Sequence, residues 1–188
     1  MYIDAIQNYT PKNDFEAQDK KVMLAYIEQH RDNILSRENE IAHICASGFI
    51  LNEKLDKTLM IYHNIYDSWG WTGGHADGDG DLLAVALKEA REETGVQNFR
   101  LLSNVPQSLD ILPVWSHYKK GKPISSHLHF VVSYLLIADE FEQLVVKEDE
   151  NSGVEWIPVD EIAKFCSEPL MVPVYMKLVE AVKLIHEM

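Results

Sequence analysis

A chain of 188 residues, 46% hydrophobic and 25% charged, is long enough to bury one core and has the make-up of a globular domain with an appendage. Its formal charge of −13 opposes attraction to nucleic acid or an anionic membrane, so neither is expected as a partner, and an anionic ligand needs a mediating cation. Apolar runs such as residues 131–138 fall far short of the roughly 20 that span a bilayer, and the N-terminus lacks an export signal. A cytoplasmic protein is expected, with Cys45 and Cys166 as buried free thiols.

The first periodic stretch, residues 15–36, spaces Phe15, Val22, Leu24, Ala25, Ile27, Ile34 and Leu35 among charges and predicts an N-terminal helix. Residues 43–51 and 58–63 are β-branched and apolar on either side of a polar segment, a strand pair that opens the sheet. After Ser68-Trp69-Gly70-Trp71 comes a glycine- and aspartate-rich loop, residues 73–81, then a strongly helical segment, residues 82–94, which Gly95 is placed to end. Further strands are predicted at residues 99–103, 107–112, 127–137 and 154–157, with residues 119–125 as a turn-like connection. A short helix at residues 158–165, introduced by Pro158 and Asp160, and an amphipathic helix at residues 170–187 close the chain. The division drawn is an N-terminal helical extension, residues 1–41, and one domain, residues 42–188.

At about 100° per residue, Glu89, Glu92 and Glu93 share one helix face, while Leu83, Ala86, Leu87 and Ala90 lie on another. Like charges so spaced destabilise a helix by roughly a few tenths of a kcal/mol each, and their place near its C-terminal end adds to the cost. A bound divalent cation reverses that. Three glutamates alone are more often a solvated face, but Gly73-Gly74 just ahead of the helix lets the backbone approach a ligand and joins loop and helix into one site. Carboxylate oxygens suit magnesium or manganese, which also bind substrate phosphates. A calcium-loop reading of Asp77, Asp79 and Asp81 fails, because Leu82 and Lys88 occupy its sixth and twelfth positions.

Residues 74–96 resemble the Nudix box, G-x5-E-x7-R-E-U-x-E-E-x-G-U with U a bulky aliphatic residue. Gly74 takes the first position, and Lys88-Glu89-Ala90-Arg91-Glu92-Glu93-Thr94-Gly95-Val96 aligns with the end of the box. Gly80 stands in place of the early glutamate, Lys88 in place of the arginine, and Ala90 is small for its position. Asp79 or Asp81 is available to replace the early carboxylate, against the alternative that Asp81 caps the helix.

The resemblance covers residues 42–165 and implies the α/β/α Nudix sandwich, a mixed sheet between helices, behind the helical extension. It also implies a metal site of Glu92, Glu93 and the Gly73 carbonyl, with Glu89 as a further ligand or the general base, and Mg2+ or Mn2+ as cofactor. Glu150, in the acidic run Glu148-Asp149-Glu150, is the expected distal ligand or alternative base. Gly74, His75, Trp71, His127 and His129 are the expected substrate contacts. His127 and His129 share a strand face, though an isolated His-x-His is weak as a zinc signature. The implied activity is hydrolysis of the diphosphate bond of a nucleoside diphosphate linked to another moiety, or of a related organic diphosphate. The N-terminal helix is open as a cover for the site, a homodimer interface or scaffold. A catalytically inactive nucleotide-sensing module is the alternative, and an isoprenoid diphosphate isomerase is disfavoured because neither cysteine has an electropositive setting.

Overall fold

The computed structural model describes residues 2–119, 121–148 and 150–186. In chain order the elements are α1 (Tyr2–Gln7), α2 (Asp14–Gln29), β1 (Ala42–Asn52), β2 (Lys57–His63), β3 (Ser68–Gly70), β4 (Thr72–His75), α3 (Leu82–Thr94), β5 (Arg100–Leu101), β6 (Ser108–Val114), β7 (His117–Lys119), β8 (Lys122–Ile124), β9 (His127–Ala138), β10 (Asn151–Pro158), α4 (Ile162–Phe165) and α5 (Met171–His186). Among the described residues no helix is long and apolar enough to cross a membrane.

The most apolar strands, β1 and β9, form the centre of the sheet and pair in parallel from Ala42 opposite Leu128 to Asn52 opposite Ala138. The main path runs β10-β2-β1-β9-β5, with β3 on β2, β4 on β1 and β6 on β9. Strand β1 divides its second edge: Ile50 and Leu51 pair with β2, whereas Cys45 to Gly48 pair antiparallel with His75 to Thr72 of β4. Alternation sends Ala42, Ile44 and Ala46 to one face, where they pack with α1, α2 and the first turns of α3. Phe49 and Leu51 point the other way, onto Tyr175, Leu178 and Val182 of α5. This is the mixed sheet between helical layers that the sequence predicts.

The differences are local. Helix α2 ends at Gln29 rather than residue 36, and the chain turns so that Ile34 still reaches the core and its carbonyl accepts from Ile44 N–H at 2.9 Å. Strand β4 occupies part of the expected loop, and a Cβ on Gly73 would lie 2.8 Å from Ser47 Cβ, so this close pairing requires glycine. The expected turn at residues 119–125 carries the β7–β8 hairpin; its Lys120 lies outside the described residues. Pro158 ends β10 instead of starting a helix, and α4 begins after Glu161. Glu187, the expected end of the last helix, is outside the described residues.

Residues 2–41 contribute to the core of the sheet. Ile6, Met23 and Ile27 are fully buried in the cluster that holds Ile44 and Ala86. Around the β6 edge, Lys177 of α5 pairs with Glu16 of α2 at 2.8 Å and with Asp110 at 2.7 Å. Tyr9 O–H and Lys12 N–H both donate to Glu16 Oε2 at 2.7 Å.

Candidate metal and active site

Helix α3 is fixed at both ends. Asp81 accepts from Ala84 N–H at 3.0 Å as N-cap, and Gly95 closes the helix in the left-handed region at φ 80°. Val85, Ala86 and Ala90 are buried, and that packing sets the rotation that turns Glu89 and Glu93 toward β4. Glu93 is 3% exposed and accepts from Gly73 N–H at 3.0 Å; burial pushes its carboxyl up to about 8 against that bond, with Glu89 and Glu150 adding repulsion. Asn151 holds the Glu93 carbonyl at 3.1 Å. Burial also raises Glu89, whose carboxyl lies so close to Gly74 that a Cβ there would be 2.5 Å from Glu89 Cδ. The room that Gly74 provides is therefore used by the glutamate itself.

Glu92 is exposed and faces two lysines, Lys88 at 3.6 Å and Lys147 at 3.4 Å. Lys147 also pairs with Glu150 at 2.8 Å, so the distal acid is joined to the helix face through this ammonium. Although burial opposes its charge, Glu150 and Glu92 hold Lys147 above the ordinary lysine range. Lys88, at the arginine position, also lies 3.5 Å from Glu89. Nothing in the box points to Lys147; its place three residues before Glu150 is the one signal available in the sequence. Asp149 lies outside the described residues.

The early part of the box is organised differently. Gly80 has only Tyr2 near its missing Cβ, at 3.8 Å. Asp79 accepts from Asp81 N–H at 2.8 Å, and Asp81 is the helix cap, so both are engaged at the opposite end of α3 from the glutamates. Asp77 forms a two-pronged pair with Arg37, Nε to Oδ1 at 2.7 Å.

The histidines gather on the other face of the sheet. Registers Cys45–His75 and His43–His129 put the four side chains on one side, and their ligand atoms lie within 4.8 Å of one another. Among the described residues no other set of three or more such ligand atoms is so close. His127 stacks on His43 at 4.9 Å between centroids. Burial drives His75 down to about 3 and His129 to about 2, so these rings are neutral. Cys45 and Cys166 are buried and unpaired by any disulfide, and burial raises both thiols. The sequence marks Cys45 only as a buried free thiol and does not single out His43, although His-x-Cys in a strand is the same alternation as His-x-His. Trp71 is half-buried, edge-on to Tyr175 at 5.4 Å.

Residues 41–178 match the family model described as NUDIX domain. A NUDIX family hydrolase from Clostridium perfringens superposes with a TM-score of 0.53 at 22% identity, covering 76% of this chain and 97% of that one. An E. coli dihydroneopterin triphosphate pyrophosphohydrolase gives 0.54 at 14% identity, over 72% and 94%. A C. elegans Ap4A hydrolase gives 0.50 at 16% identity, over 72% and 93%. No curated protein sequence matches the chain.

Proposed function

The chain belongs to the Nudix family and is a diphosphate hydrolase of that type, and we propose that it cleaves the diphosphate bond of a nucleoside diphosphate joined to a second moiety, or of a related organic diphosphate. Glu92, Glu93, Glu89 and the Gly73 carbonyl would hold magnesium or manganese. The observation that carries this reading is Glu93: a buried carboxyl, pushed up to about 8, on a helix face with two more carboxylates and hard oxygen donors throughout. Such a face is completed by a divalent cation, which when bound neutralises phosphate charge and lowers the pKa of water.

The protein groups do the rest. The Gly73 N–H bond positions Glu93 against β4. Glu89, which burial raises above the ordinary carboxylate range, is the carboxylate assigned to accept the proton of the attacking water. Water oxygen bonds to one phosphorus, the bond from that phosphorus to the bridging oxygen breaks, and each product keeps one phosphate. Glu150 is the second carboxylate for the proton or the cation, set through Lys147. Of the expected substrate contacts, Trp71 and His127 keep that assignment, whereas the room at Gly74 is filled by Glu89, and His75 and His129 lie in the histidine–cysteine cluster. The same reading places the enzyme in the cytoplasm, with a small molecule rather than nucleic acid or membrane as partner.

The test is phosphate or nucleotide release from a panel of diphosphate compounds with magnesium or manganese, comparing native protein with Glu92→Gln and Glu89→Gln. Dinucleoside polyphosphates and pterin triphosphates join the panel because two fold neighbours are named for them. Turnover lost in both variants is the expected result. Saturable binding without turnover by the native protein points instead to a sensing module.

A further inference from the structure

On the sheet face away from α3, strands β1, β4 and β9 bring His43, Cys45, His75 and His129 together, and we infer that these side chains form a second metal site, for a borderline-soft transition metal of the zinc class. It does not depend on the hydrolase reading, since it shares no ligand with the glutamates of α3.

Two independent observations meet here. The first is convergence: four ligand atoms, three imidazole nitrogens and one sulfur, lie within 4.8 Å of one another. A tetrahedral zinc with Zn–N of about 2.0–2.1 Å and Zn–S of about 2.3 Å places its ligands roughly 3.3–3.6 Å apart. The cluster needs to contract by about 1 Å, a small adjustment of side-chain torsions. The second is an orphaned atom. His43 Nδ1 lies 3.1 Å from the Asn39 carbonyl, which can only accept, so Nδ1 carries the proton and Nε2 presents its lone pair. His43 is 4% exposed, and its Nε2 has no hydrogen-bond partner. A backbone carbonyl holding one ring nitrogen while the other faces a cluster is the support that ligating histidines commonly have.

The donor chemistry selects the ion. Magnesium and manganese favour oxygen, whereas imidazole with thiolate suits zinc and its neighbours. Burial makes Cys45 inert as a free thiol, and coordination reverses that by taking the thiolate and releasing its proton to solvent. With four protein ligands the site is closed, which marks it as structural. His127, whose Nε2 is 3.2 Å from His129 Nε2 and whose Nδ1 meets the Ser125 carbonyl at 2.8 Å, stands beside the set and keeps the substrate role. His75 and His129 instead tie β4 to β1 and β9, two residues from Gly73.

The experiment uses the full chain stripped with a chelator and titrated with Co2+, then displaced with Zn2+. One Co2+ per chain is expected to give a thiolate-to-cobalt charge-transfer band with tetrahedral visible bands, both abolished by Zn2+. Cys45→Ser removes the charge-transfer band, His129→Gln weakens binding by about tenfold or more, and Glu92→Gln changes neither. A charge-transfer band that survives in Cys45→Ser, or cobalt binding lost only with Glu92→Gln, overturns the proposal. X-ray absorption at the zinc edge of the zinc-loaded native protein serves should a variant not fold: one sulfur with three nitrogens supports the site, and a shell of oxygen and nitrogen alone refutes it.

Discussion

Glu16 and Glu93 are the same side chain at almost the same depth, 1% and 3% exposed, yet they are held in opposite states. Glu16 takes Tyr9 O–H and Lys12 N–H at 2.7 Å and the Lys177 ammonium at 2.8 Å, so that despite burial its carboxyl lies below the ordinary range. Glu93 has the Gly73 N–H at 3.0 Å with Glu89 and Glu150 as electrostatic neighbours, and burial carries it up to about 8. Depth alone therefore does not identify a functional acid. The supply of donors and counter-charge separates the two: a carboxylate supplied with donors and an ammonium joins α2 to α5, and an under-supplied one is the proposed cation ligand.

Breaking the under-supplied side produces the largest effect. Glu89→Gln should lower kcat about 10²–10⁴-fold with saturating magnesium while the melting temperature stays near native, read by steady-state kinetics and calorimetry. On the supplied side, Lys177→Met leaves Glu16 and Asp110 buried without their cation and should cost about 3–5 kcal/mol in urea denaturation, with kcat per folded molecule retained.

The pH dependence separates the two acids by sign. Glu16 has a folded pKa below its unfolded one, so its stabilisation is present above roughly pH 4.3 and is lost as pH falls through the folded value. Glu93 is raised, so in chelator-treated protein its contribution is present below roughly pH 4.3 and is lost as pH rises through about 8. Lys177→Met should flatten the acid limb of a stability profile, and Glu93→Gln the alkaline one; the reverse assignment would remove the contrast.

Smaller changes sharpen the site's outline. Gly74→Ala sets a Cβ 2.5 Å from Glu89 Cδ and should cost about 1–3 kcal/mol together with a fall in kcat. Gly80→Ala, with nothing nearer than 3.8 Å, should leave kcat unchanged. Asp81→Ala should cost about 1 kcal/mol through the lost cap and leave magnesium affinity intact; a weakened affinity would instead make Asp81 the substitute for the early box carboxylate.

Where a signal was local and repeated, the sequence carried it. Helix α3 runs from Leu82 to Thr94 with Asp81 and Gly95 at its ends, because capping chemistry and a 3.6-residue apolar pattern agree there. Strands β1 and β9 were equally visible as long apolar runs. Strand β4 was hidden because Gly73 and Gly74 have no β propensity and are strand residues only by virtue of what approaches them, Ser47 and Glu89. Helix α1 has six residues and only Ile6 fully committed to the core, too short for a periodic signal. The union of His43 and Cys45 with His75 and His129 is a consequence of register between distant strands, which no local pattern encodes.

The parallel pairing of β1 with β9 also has a kinetic consequence. Parallel partners require a crossover, and here the intervening chain includes β2, β3, β4, α3, β5, β6, β7 and β8. The entropy of closing that loop must be met before any of the eleven paired positions contributes, which favours slow folding with the central seam as a late event. Since His43 and His129 lie on opposite sides of that seam, uptake of a thiolate-coloured metal during refolding would time its closure directly.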